Sequence, residues 1–481
     1  MVRARFSWKG IISKNNLSNK WGMVMKNEVD LVVLGGGTGI FAASRAAKLG
    51  LKVVLIENRK LGGVCLNWGG LATKTLTSTV DLFKNLEKAN GKGIDGSVAL
   101  DWNKMKKNKD KICAQFSKFP EIFLKKEGVR IVIGRGEILS PTKVKIISER
   151  EESIETKNIL IATGSHPITI PGVELKDPIV DSDRMLELEL VPKHLIIVGG
   201  GIVGLEFATI FSNLGSKVTI VEMVPRLLPD EEPEVNNFLL KNLRKNGIEI
   251  LVHSKVTEVN LVDNGVNVTI QTPTEKTSKN AEKVMMAIGR KPNIDREKLE
   301  AMGVKTTPRG ILVNDRMQTS VKNIWGMGDA VFPHLIANVA IKEGKIAASN
   351  IAGIDSKMDY ELIPRCCFTI PEVAAIGLTE KQAKEKGLEI ETVKTNFSVQ
   401  NFRAMASSKP EGFIKIVTLT DGTIIGATIV GASASDLITE FTLAIKNKMT
   451  AKEMSEIIYV HPSFSEAIQN ALEEIQGLSM M

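Results

Sequence analysis

The hydrophobic and polar residues repeat one arrangement at two places along the chain. Residues 31–34 are a short apolar run typical of a buried strand, residues 41–49 are rich in small side chains and predict a helix, and residues 52–56 predict a second strand. The same succession returns in KHLIIVGGGIVGLEFATIFSNLGSKVTIVEM, 164 residues later as measured from Gly37 to Gly201. Two such units predict an α/β fold with two Rossmann-like dinucleotide-binding domains.

A glycine-rich turn joins strand to helix in the first unit. Gly35 and Gly37 have no side chains that would keep a pyrophosphate away from the amides and the positive dipole of the helix N-terminus. Glu57 ends the second strand twenty residues after Gly37, where a carboxylate can accept hydrogen bonds from an adenosine ribose. Ile40 occupies the place of the third glycine of the usual fingerprint, so we expect helix and strand to lie slightly farther apart here.

The second unit carries the complete fingerprint, in Gly199, Gly201 and Gly204. Glu222 ends its second strand, and a carboxylate at this place would repel a 2′-phosphate, which favours NADH over NADPH. Two dinucleotide sites in one chain imply that hydride passes between two cofactors, a flavin and a nicotinamide.

Composition and charge exclude several classes of protein. The 481 residues suggest about three domains, and 43% hydrophobic with 25% charged residues is typical of a globular chain without a membrane span. The net charge of +8 comes from lysines spread along the chain, so we expect no nucleic-acid partner. The one dense lysine run, residues 104–111, predicts either a solvated helix face or a contact with an anionic protein.

Residues 1–26 differ from the rest because they contain six Lys or Arg residues and no Asp or Glu. They are interpreted as an N-terminal extension, or alternatively as a transit peptide, which would imply the mitochondrial matrix. The four cysteines are too few for a disulfide scaffold in so long a chain, which favours a reducing, cytoplasmic location.

Six short motifs occur in the order known from one family. They are LGGVCLNWGGLATK (61–74), IATGSHP (161–167), MAIGRKPN (286–293), IWGMGDA (324–330), FTIPEVAAIGLTE (368–380) and HPSFSE (461–466). Through them the chain resembles the dihydrolipoamide dehydrogenase branch of the flavin-dependent pyridine nucleotide-disulfide oxidoreductases, from about residue 27 to the C-terminus.

The resemblance implies FAD and NADH as cofactors, a homodimer, and a C-terminal α+β dimerisation domain behind the two Rossmann-like domains. The implied boundaries are 27–165 for the first part of the FAD-binding domain, 166–288 for the NAD-binding domain, 289–356 for the second, central part of the FAD-binding domain, and 357–481 for the dimerisation domain. Further residues that the resemblance places at the cofactors are Gly63, Lys74, Gly136, Gly164, Asp329 and Ala337 for FAD, and Val256 and Gly289 for NAD.

The redox motif departs from the family. Family members with disulfide chemistry carry two cysteines five positions apart, and the second touches the flavin ring. Here Cys65 holds the first position and Gly70 the second, so no redox disulfide can form within this segment. We expect neither Cys113 nor the adjacent pair Cys366–Cys367 to replace the missing sulfur. Trp68 followed by two glycines resembles the soluble pyridine nucleotide transhydrogenases, which pass hydride without a disulfide.

Two charged pairs complete the candidate site. By resemblance, Lys74 and Glu206 form an ion pair beside flavin N5, where an ammonium would stabilise negative charge on the ring. His461 and Glu466 resemble the family's acid/base pair, which completes the active site of the partner subunit; a structural histidine is the alternative. The other histidines are scattered, so we expect no metal site.

Three functions remain open on the sequence. The first is an NADH oxidoreductase that passes hydride through FAD to a small non-disulfide acceptor. The second is a dihydrolipoyl dehydrogenase or related thiol-linked reductase that uses Cys65 with His461 and Glu466. The third is a catalytically silent dimer that binds FAD and NADH.

Overall fold

The computed structural model describes residues 29–149, 151–398 and 401–478. The strands in these residues are β1 (Val29–Leu34), β2 (Val53–Glu57), β3 (Arg130–Ile133), β4 (Arg135–Ser140), β5 (Lys143–Ile147), β6 (Glu152–Ile161), β7 (Ser165–Pro167), β8 (Ile179–Val180), β9 (His194–Val198), β10 (Lys217–Val221), β11 (Glu249–Leu251), β12 (Lys255–Val262), β13 (Gly265–Gln271), β14 (Lys276–Ala281), β15 (Lys283–Met286), β16 (Arg290–Pro292), β17 (Thr306–Thr307), β18 (Gly310–Ile311), β19 (Ile324–Gly326), β20 (Arg365–Cys367), β21 (Glu372–Gly377), β22 (Ile390–Asn396), β23 (Phe413–Leu419) and β24 (Ile424–Gly431). The helices are α1 (Gly39–Lys48), α2 (Gly63–Asn67), α3 (Gly70–Ala89), α4 (Trp102–Phe116), α5 (Phe119–Lys126), α6 (Ser182–Met185), α7 (Ile202–Asn213), α8 (Pro233–Lys245), α9 (Arg296–Ala301), α10 (Ala337–Ile351), α11 (Glu380–Glu385), α12 (Phe402–Ala406), α13 (Ala434–Lys446), α14 (Ala451–Ser455) and α15 (Glu466–Ile475).

The first sheet has the order β3-β2-β1-β6-β5-β4, with β19 paired to β6. Strands β3, β2, β1, β6 and β19 run parallel to one another, whereas β5 is antiparallel to both β6 and β4. Five of the six residues of β1 are buried, as expected for a central parallel strand covered on both faces. Helix α1 packs on the sheet through small side chains such as Ala42, Ala43 and Ala46, which are fully buried. The predicted strand–helix–strand unit is confirmed.

The second sheet is parallel throughout, in the order β11-β10-β9-β15-β8. Its first three strands follow the same third–second–first order as those of the first sheet. Helix α7 buries eight of its twelve residues. The antiparallel strands β12, β13 and β14 form a small separate sheet beside the parallel one. The fold class, with two Rossmann-like units, is therefore confirmed.

The C-terminal sheet is antiparallel, in the order β20-β21-β24-β23-β22. Helices α13 and α15 contribute Phe441, Ile468 and Leu472 to the hydrophobic core formed with it. This arrangement is the predicted α+β unit.

A group of ion pairs, the charged junction, joins the second unit to the C-terminal sheet. Lys415 is buried, and its Nζ lies 3.0 Å from a carboxylate oxygen of Glu232 and 2.9 Å from one of Glu234. The Nε of Arg365 lies 2.7 Å from Glu231. A buried lysine requires such partners, because an unpaired ammonium costs several kcal/mol, roughly, in the interior.

The lysine run at 104–111 is only partly a solvated helix face. The side chain of Lys104 is 85% exposed, whereas that of Lys109 is 1% exposed. The Nζ of Lys109 donates to Leu186 O at 3.0 Å and to a carboxylate oxygen of Glu187 at 3.1 Å. The expectation of a solvated face is therefore wrong for Lys109, which fastens α4 to the second unit.

The expectations from the sequence concern a membrane span and residues 1–26, and the structure bears only on the first. None of the helices in the described residues is long and apolar enough to cross a membrane. The expectations for residues 1–26 concern a segment outside the described part of the chain.

Candidate active site

The first glycine turn brings three backbone segments into close contact. Gly35 has φ +109°, and a Cβ added there would lie 2.2 Å from Ala162 O on the neighbouring strand. A Cβ added at Gly63 would lie 2.7 Å from the Cα of Gly37. These positions therefore tolerate only glycine, and the absence of side chains leaves amide groups accessible at the start of α1.

Glu57 closes this turn from the end of β2. It is 6% exposed. Its Oε2 accepts from Gly36 N at 2.6 Å, and its Oε1 accepts from Arg59 N at 2.6 Å. A carboxylate has about four acceptor sites, so these backbone bonds orient Glu57 and leave capacity for hydroxyl donors.

A cleft of about 1510 Å³ extends from this turn to the second unit. Predicted site residues that line it are Gly35, Gly37, Glu57, Gly63, Cys65, Lys74, Gly136, Gly164, Glu206, Asp329 and Ala337. The structure thus brings together residues that are up to three hundred positions apart in sequence. A cleft of this volume is large enough for a dinucleotide.

The cleft has two features that fit a bound dinucleotide. The Oγ1 of Thr163 is buried without a hydrogen-bond partner among the described residues, and a buried hydroxyl of this kind requires a partner. The Oδ2 of Asp329 accepts from Ser165 Oγ at 2.5 Å, and Arg290 Nε donates to the same Ser165 oxygen at 2.7 Å. Asp329 is thereby held toward the cleft with its other oxygen available.

The predicted ion pair between Lys74 and Glu206 is present in the cleft. The Lys74 Nζ lies 2.7 and 2.8 Å from the two carboxylate oxygens, and Glu206 is 4% exposed. Glu206 also accepts from Phe368 N at 3.1 Å, and the Lys74 Nζ lies 4.3 Å from the centre of the Phe368 ring. Glu206 is the buried partner and the Lys74 side chain is 34% exposed, so loss of Lys74 would leave a buried carboxylate without its counter-charge.

Cys65 lies on α2, and Gly70 begins α3. A Cβ added at Gly70 would lie 3.6 Å from the Cys65 Sγ and clear of close contacts. Burial raises the pKa of the Cys65 thiol, although the positive charge of Lys74 acts in the opposite direction. The thiol is therefore mainly protonated at neutral pH.

The other cysteines are reduced and are not in the cleft lining. Strand β20 places Cys366 and Cys367 beside α7, where the Cys367 Sγ lies 3.9 Å from Ile202 O, about one helical turn before Glu206. Burial raises the pKa of Cys366 to about 12 and raises that of Cys367 well above its usual value. Cys113 is buried in α4.

His461 and Glu466 form a hydrogen-bonded pair, with 2.6 Å between Nδ1 and Oε1. The second carboxylate oxygen of Glu466 accepts from Ser463 N at 2.7 Å. The His461 side chain is 62% exposed, and neither residue lines the cleft of its own chain.

The second glycine turn also lies outside this cleft. The predicted NAD-binding residues Gly199 and Gly201 of this turn, Gly204 in α7 and Glu222 after β10 are not in the cleft lining. Glu222 accepts from Gly200 N at 2.6 Å and from Val224 N at 2.8 Å. Gly289 has φ +128°. The side chain of Val256 is buried in the hydrophobic core, so only its backbone could contact a cofactor.

Sequence reasoning missed several residues of the cleft. Arg59 lies 3.7 Å above the Trp68 ring, and its guanidinium is 3.2 Å from Asp183. Ser165 and Arg290 hold Asp329 as described above. Ser165 and Arg290 lie within the motifs IATGSHP and MAIGRKPN, and this position could have identified them as site residues. In the described residues, no group of three or more His, Cys, Asp or Glu side chains could hold a metal ion.

Comparison with known proteins gives two family matches. The pyridine nucleotide-disulphide oxidoreductase family matches residues 29–347, and the dimerisation domain of the same family matches residues 363–472. Dihydrolipoyl dehydrogenase of Staphylococcus aureus is 37% identical over 455 residues, which is 94% of this chain and 97% of the relative. Dihydrolipoyl dehydrogenase of Bacillus subtilis is 37% identical over 456 residues, with the same coverage.

Comparison with solved structures finds the same fold over most of the chain. LpdA from Mycobacterium tuberculosis has 26% identity and a TM-score of 0.85, covering 93% of this chain and 100% of that one. The HOCl-induced flavoprotein disulfide reductase RclA from Escherichia coli, with 24% identity and a TM-score of 0.82 over 92% and 99%, shares the fold. The dihydrolipoyl dehydrogenases use FAD and NAD(H), and the dimerisation domain supports a homodimer. The chain therefore belongs to the pyridine nucleotide-disulphide oxidoreductase family, as a dihydrolipoyl dehydrogenase-like, FAD-dependent NAD oxidoreductase.

Proposed function

We propose that this chain oxidises NADH and delivers the electrons from FAD to an acceptor that is not a disulfide. The observation that carries the proposal is the pair Cys65–Gly70. The position that faces the Cys65 thiol at the start of α3 holds no side chain, so Cys65 has no partner sulfur within this segment.

Several residues of the cleft each have a proposed role in holding FAD or in balancing charge. FAD, when bound, accepts hydride from NADH and releases electrons to a second substrate. The glycine turn of α1 would hold its pyrophosphate, Glu57 its adenosine ribose, and Asp329 its ribityl chain. The ammonium of Lys74, held by Glu206, would balance negative charge that develops near it in the cleft.

The absence of a side chain at Gly70 leaves space beside Cys65 for an acceptor. A quinone, a second nicotinamide, a dye or oxygen are the candidates, since each accepts electrons without thiol exchange. The raised pKa of Cys65 also supports an acceptor that does not react with this thiol, because a protonated thiol is a weak nucleophile.

Anaerobic titration of the FAD-loaded protein with NADH tests the proposal. We expect the FAD absorbance to bleach with one equivalent of NADH per FAD and no thiolate–flavin charge-transfer band. Two equivalents would mean that a second redox centre takes part and would refute the proposal. Failure of NADH to bleach FAD would refute it as well.

Gly70→Cys provides a gain-of-function counterpart. The ideal Cβ at this position lies 3.6 Å from the Cys65 Sγ, a distance from which small side-chain and backbone adjustments allow a disulfide. We expect this variant to take up a second equivalent of NADH and to develop the charge-transfer band. The matched control, Gly70→Ser, adds a side chain of similar size without sulfur and should behave like the unaltered chain.

A second candidate function is thiol chemistry at Cys65 without a disulfide relay. The hydrogen-bonded pair of His461 and Glu466 favours it, because such a pair can remove a proton from a thiol. In a homodimer the pair would act in the cleft of the other subunit. Cys65→Ser distinguishes the two candidates: unchanged turnover with a quinone or dye supports the first, and lost turnover supports the second.

A further inference from the structure

An exposed strip of large apolar side chains runs from the end of α4 along α5. Phe116, Phe119, Ile122 and Phe123 are 48%, 50%, 61% and 57% exposed. The rings of Phe116 and Phe119 are 5.9 Å apart, and residues three and four apart share a helix face, so the four side chains form one continuous surface. We call them the aromatic strip.

The strip is not the core-facing side of its helix. Pro120 and Leu124 are the residues of α5 that are buried. Helix α5 is therefore apolar on two sides, and only one of them is covered. An exposed apolar patch of this kind marks an interaction surface.

The surroundings of the strip are positively charged. The segment from Lys118 to Lys126 contains three lysines and one glutamate. Glu121 pairs with Lys125 at 2.6 Å, which leaves the charges of Lys118 and Lys126 unbalanced within the helix. Both are exposed, and a third exposed lysine, Lys111, lies in the preceding helix.

This charge selects among possible occupants. A second copy of the chain, placed strip against strip, would bring the same lysines together, and like charges in contact disfavour such a pairing. Residues 1–26 of the same chain carry six Lys or Arg residues and no acid, so they are repelled for the same reason. The occupant is therefore anionic.

The strip also lacks polar groups with which to bind a protein. Between its apolar residues, Lys118 and Glu121 are the exposed polar side chains, and Lys125 already holds Glu121. Protein interfaces contain about one hydrogen bond per 100–200 Å², whereas a bilayer requires none. Aromatic side chains beside lysines are typical of helices that lie in the membrane interface.

We propose that the aromatic strip and its lysines form a peripheral contact surface for an anionic phospholipid bilayer. The phenylalanines and Ile122 would enter the headgroup–acyl boundary, and Lys118 and Lys126 would meet lipid phosphates. Ser117, which lies between Phe116 and Phe119 in the sequence, connects this segment to α2. Its Oγ donates to Asn67 Oδ1 at 2.8 Å, and Asn67 is two residues after Cys65 on α2. A bound bilayer would thus border the helix of the candidate site. The contact stands independently of which acceptor the protein uses.

Co-sedimentation of the FAD-loaded full chain with vesicles tests the proposal. The probes are vesicles of equal parts phosphatidylglycerol and phosphatidylcholine, and vesicles of phosphatidylcholine alone. We expect binding to the first and little to the second, and weaker binding at high salt. Phe119→Ser with Phe123→Ser should lower the partition coefficient at least about tenfold, as should Lys118→Glu with Lys126→Glu.

Matched control variants keep the test specific. Leu190 and Leu261 are 78% and 65% exposed elsewhere on the molecule, and Lys241 is exposed on α8. Leu190→Ser, Leu261→Ser and Lys241→Glu should leave vesicle binding unchanged. Equal losses in these controls would overturn the proposal.

Three other outcomes would also overturn it. The first is equal binding to both kinds of vesicle. The second is binding to neither, and if such a chain binds polyglutamate the strip is assigned to an acidic protein. The third is a Phe119→Ser, Phe123→Ser variant that loses its dimeric state in solution, which would assign the strip to the contact between subunits.

Discussion

The two glycine turns of this chain solve the same geometric problem with different sequences. Gly35 and Gly199 have φ +109° and +113°, and an added Cβ at either would lie 2.2 or 2.3 Å from a carbonyl oxygen of the neighbouring strand. Glu57 is the last residue of β2 and Glu222 directly follows β10, and each accepts a turn amide at 2.6 Å. The parts that would meet a pyrophosphate and a ribose are therefore the same in both units.

The turns differ where the helix meets the strand. In the second unit a Cβ added at Gly204 would lie 2.0 Å from Gly199 O, so the third glycine of the fingerprint allows that contact. Helix α7 begins directly after Gly201, and Leu205 N donates to Gly201 O at 3.0 Å as in a regular α-helix.

In the first unit the helix begins later. Helix α1 starts at Gly39, and Ile40 N donates to Gly37 O at 3.4 Å, three residues back instead of four. Gly39 takes the crowded position, since a Cβ added there would lie 3.1 Å from Val33 and from Ala162. The first two glycines therefore shape both turns alike and would form the proposed ligand cradle, whereas the third sets where the helix starts and can be exchanged for a neighbour.

The largest expected effect separates the two cradles. Gly35→Ala should weaken FAD binding about 5- to 150-fold, while Gly199→Ala should keep FAD and raise the KM for NADH by a similar factor, because each forces a strained backbone worth roughly 1–3 kcal/mol. The FAD absorbance per chain and steady-state kinetics measure the two effects. Gly201→Ala, where an added Cβ meets no atom within 4 Å, should leave the unfolding temperature unchanged. If Gly199→Ala also lost FAD, the cradles would not be separable.

The two glutamates are expected to have intermediate effects. Glu57→Gln should weaken FAD retention by about 1.5–3 kcal/mol, the range for a hydrogen bond to a charged group. Glu222→Gln should instead reduce the preference for NADH over NADPH by about tenfold, since it removes the charge that repels a 2′-phosphate. FAD content after gel filtration and kcat/KM with both nucleotides measure these changes. An unchanged nucleotide preference would contradict the role given to Glu222.

The third glycine position is expected to have the smallest effects. Gly204→Ala should destabilise the fold by about 1–3 kcal/mol through overpacking. Ile40→Val removes one buried methylene at the equivalent place and should cost only about 0.5–1.5 kcal/mol. Chemical denaturation of both variants measures the free energy of unfolding. Equal losses would show that Ile40 is as tightly confined as Gly204.

Much of the fold and part of the cleft could be predicted from the sequence. The strand–turn–helix–strand units are local, so periodicity and glycine spacing were sufficient to find them. The pairing of Lys74 with Glu206 spans 132 residues, and nothing local indicates it. It was expected only because the surrounding motifs resemble those of a family.

Other features could not be read from the sequence because tertiary packing decides them. Lys109 sits in a lysine run that looks solvated, yet it is buried because two acceptors of the second unit lie beside it. Phe119, Ile122 and Phe123 have the spacing of a core stripe and nevertheless face outward, since α5 buries Pro120 and Leu124 instead. Apolar periodicity identifies one face of a helix, but it does not show whether that face points to the core or to solvent.

The charged junction links the second unit to the C-terminal sheet through buried charge. Lys415 and Arg365 fasten the start of α8 to that sheet. Sliding the second unit over the sheet would separate Lys415 from its carboxylates and leave a buried ammonium unpaired, which costs roughly several kcal/mol. We therefore expect these two parts of the chain to move together.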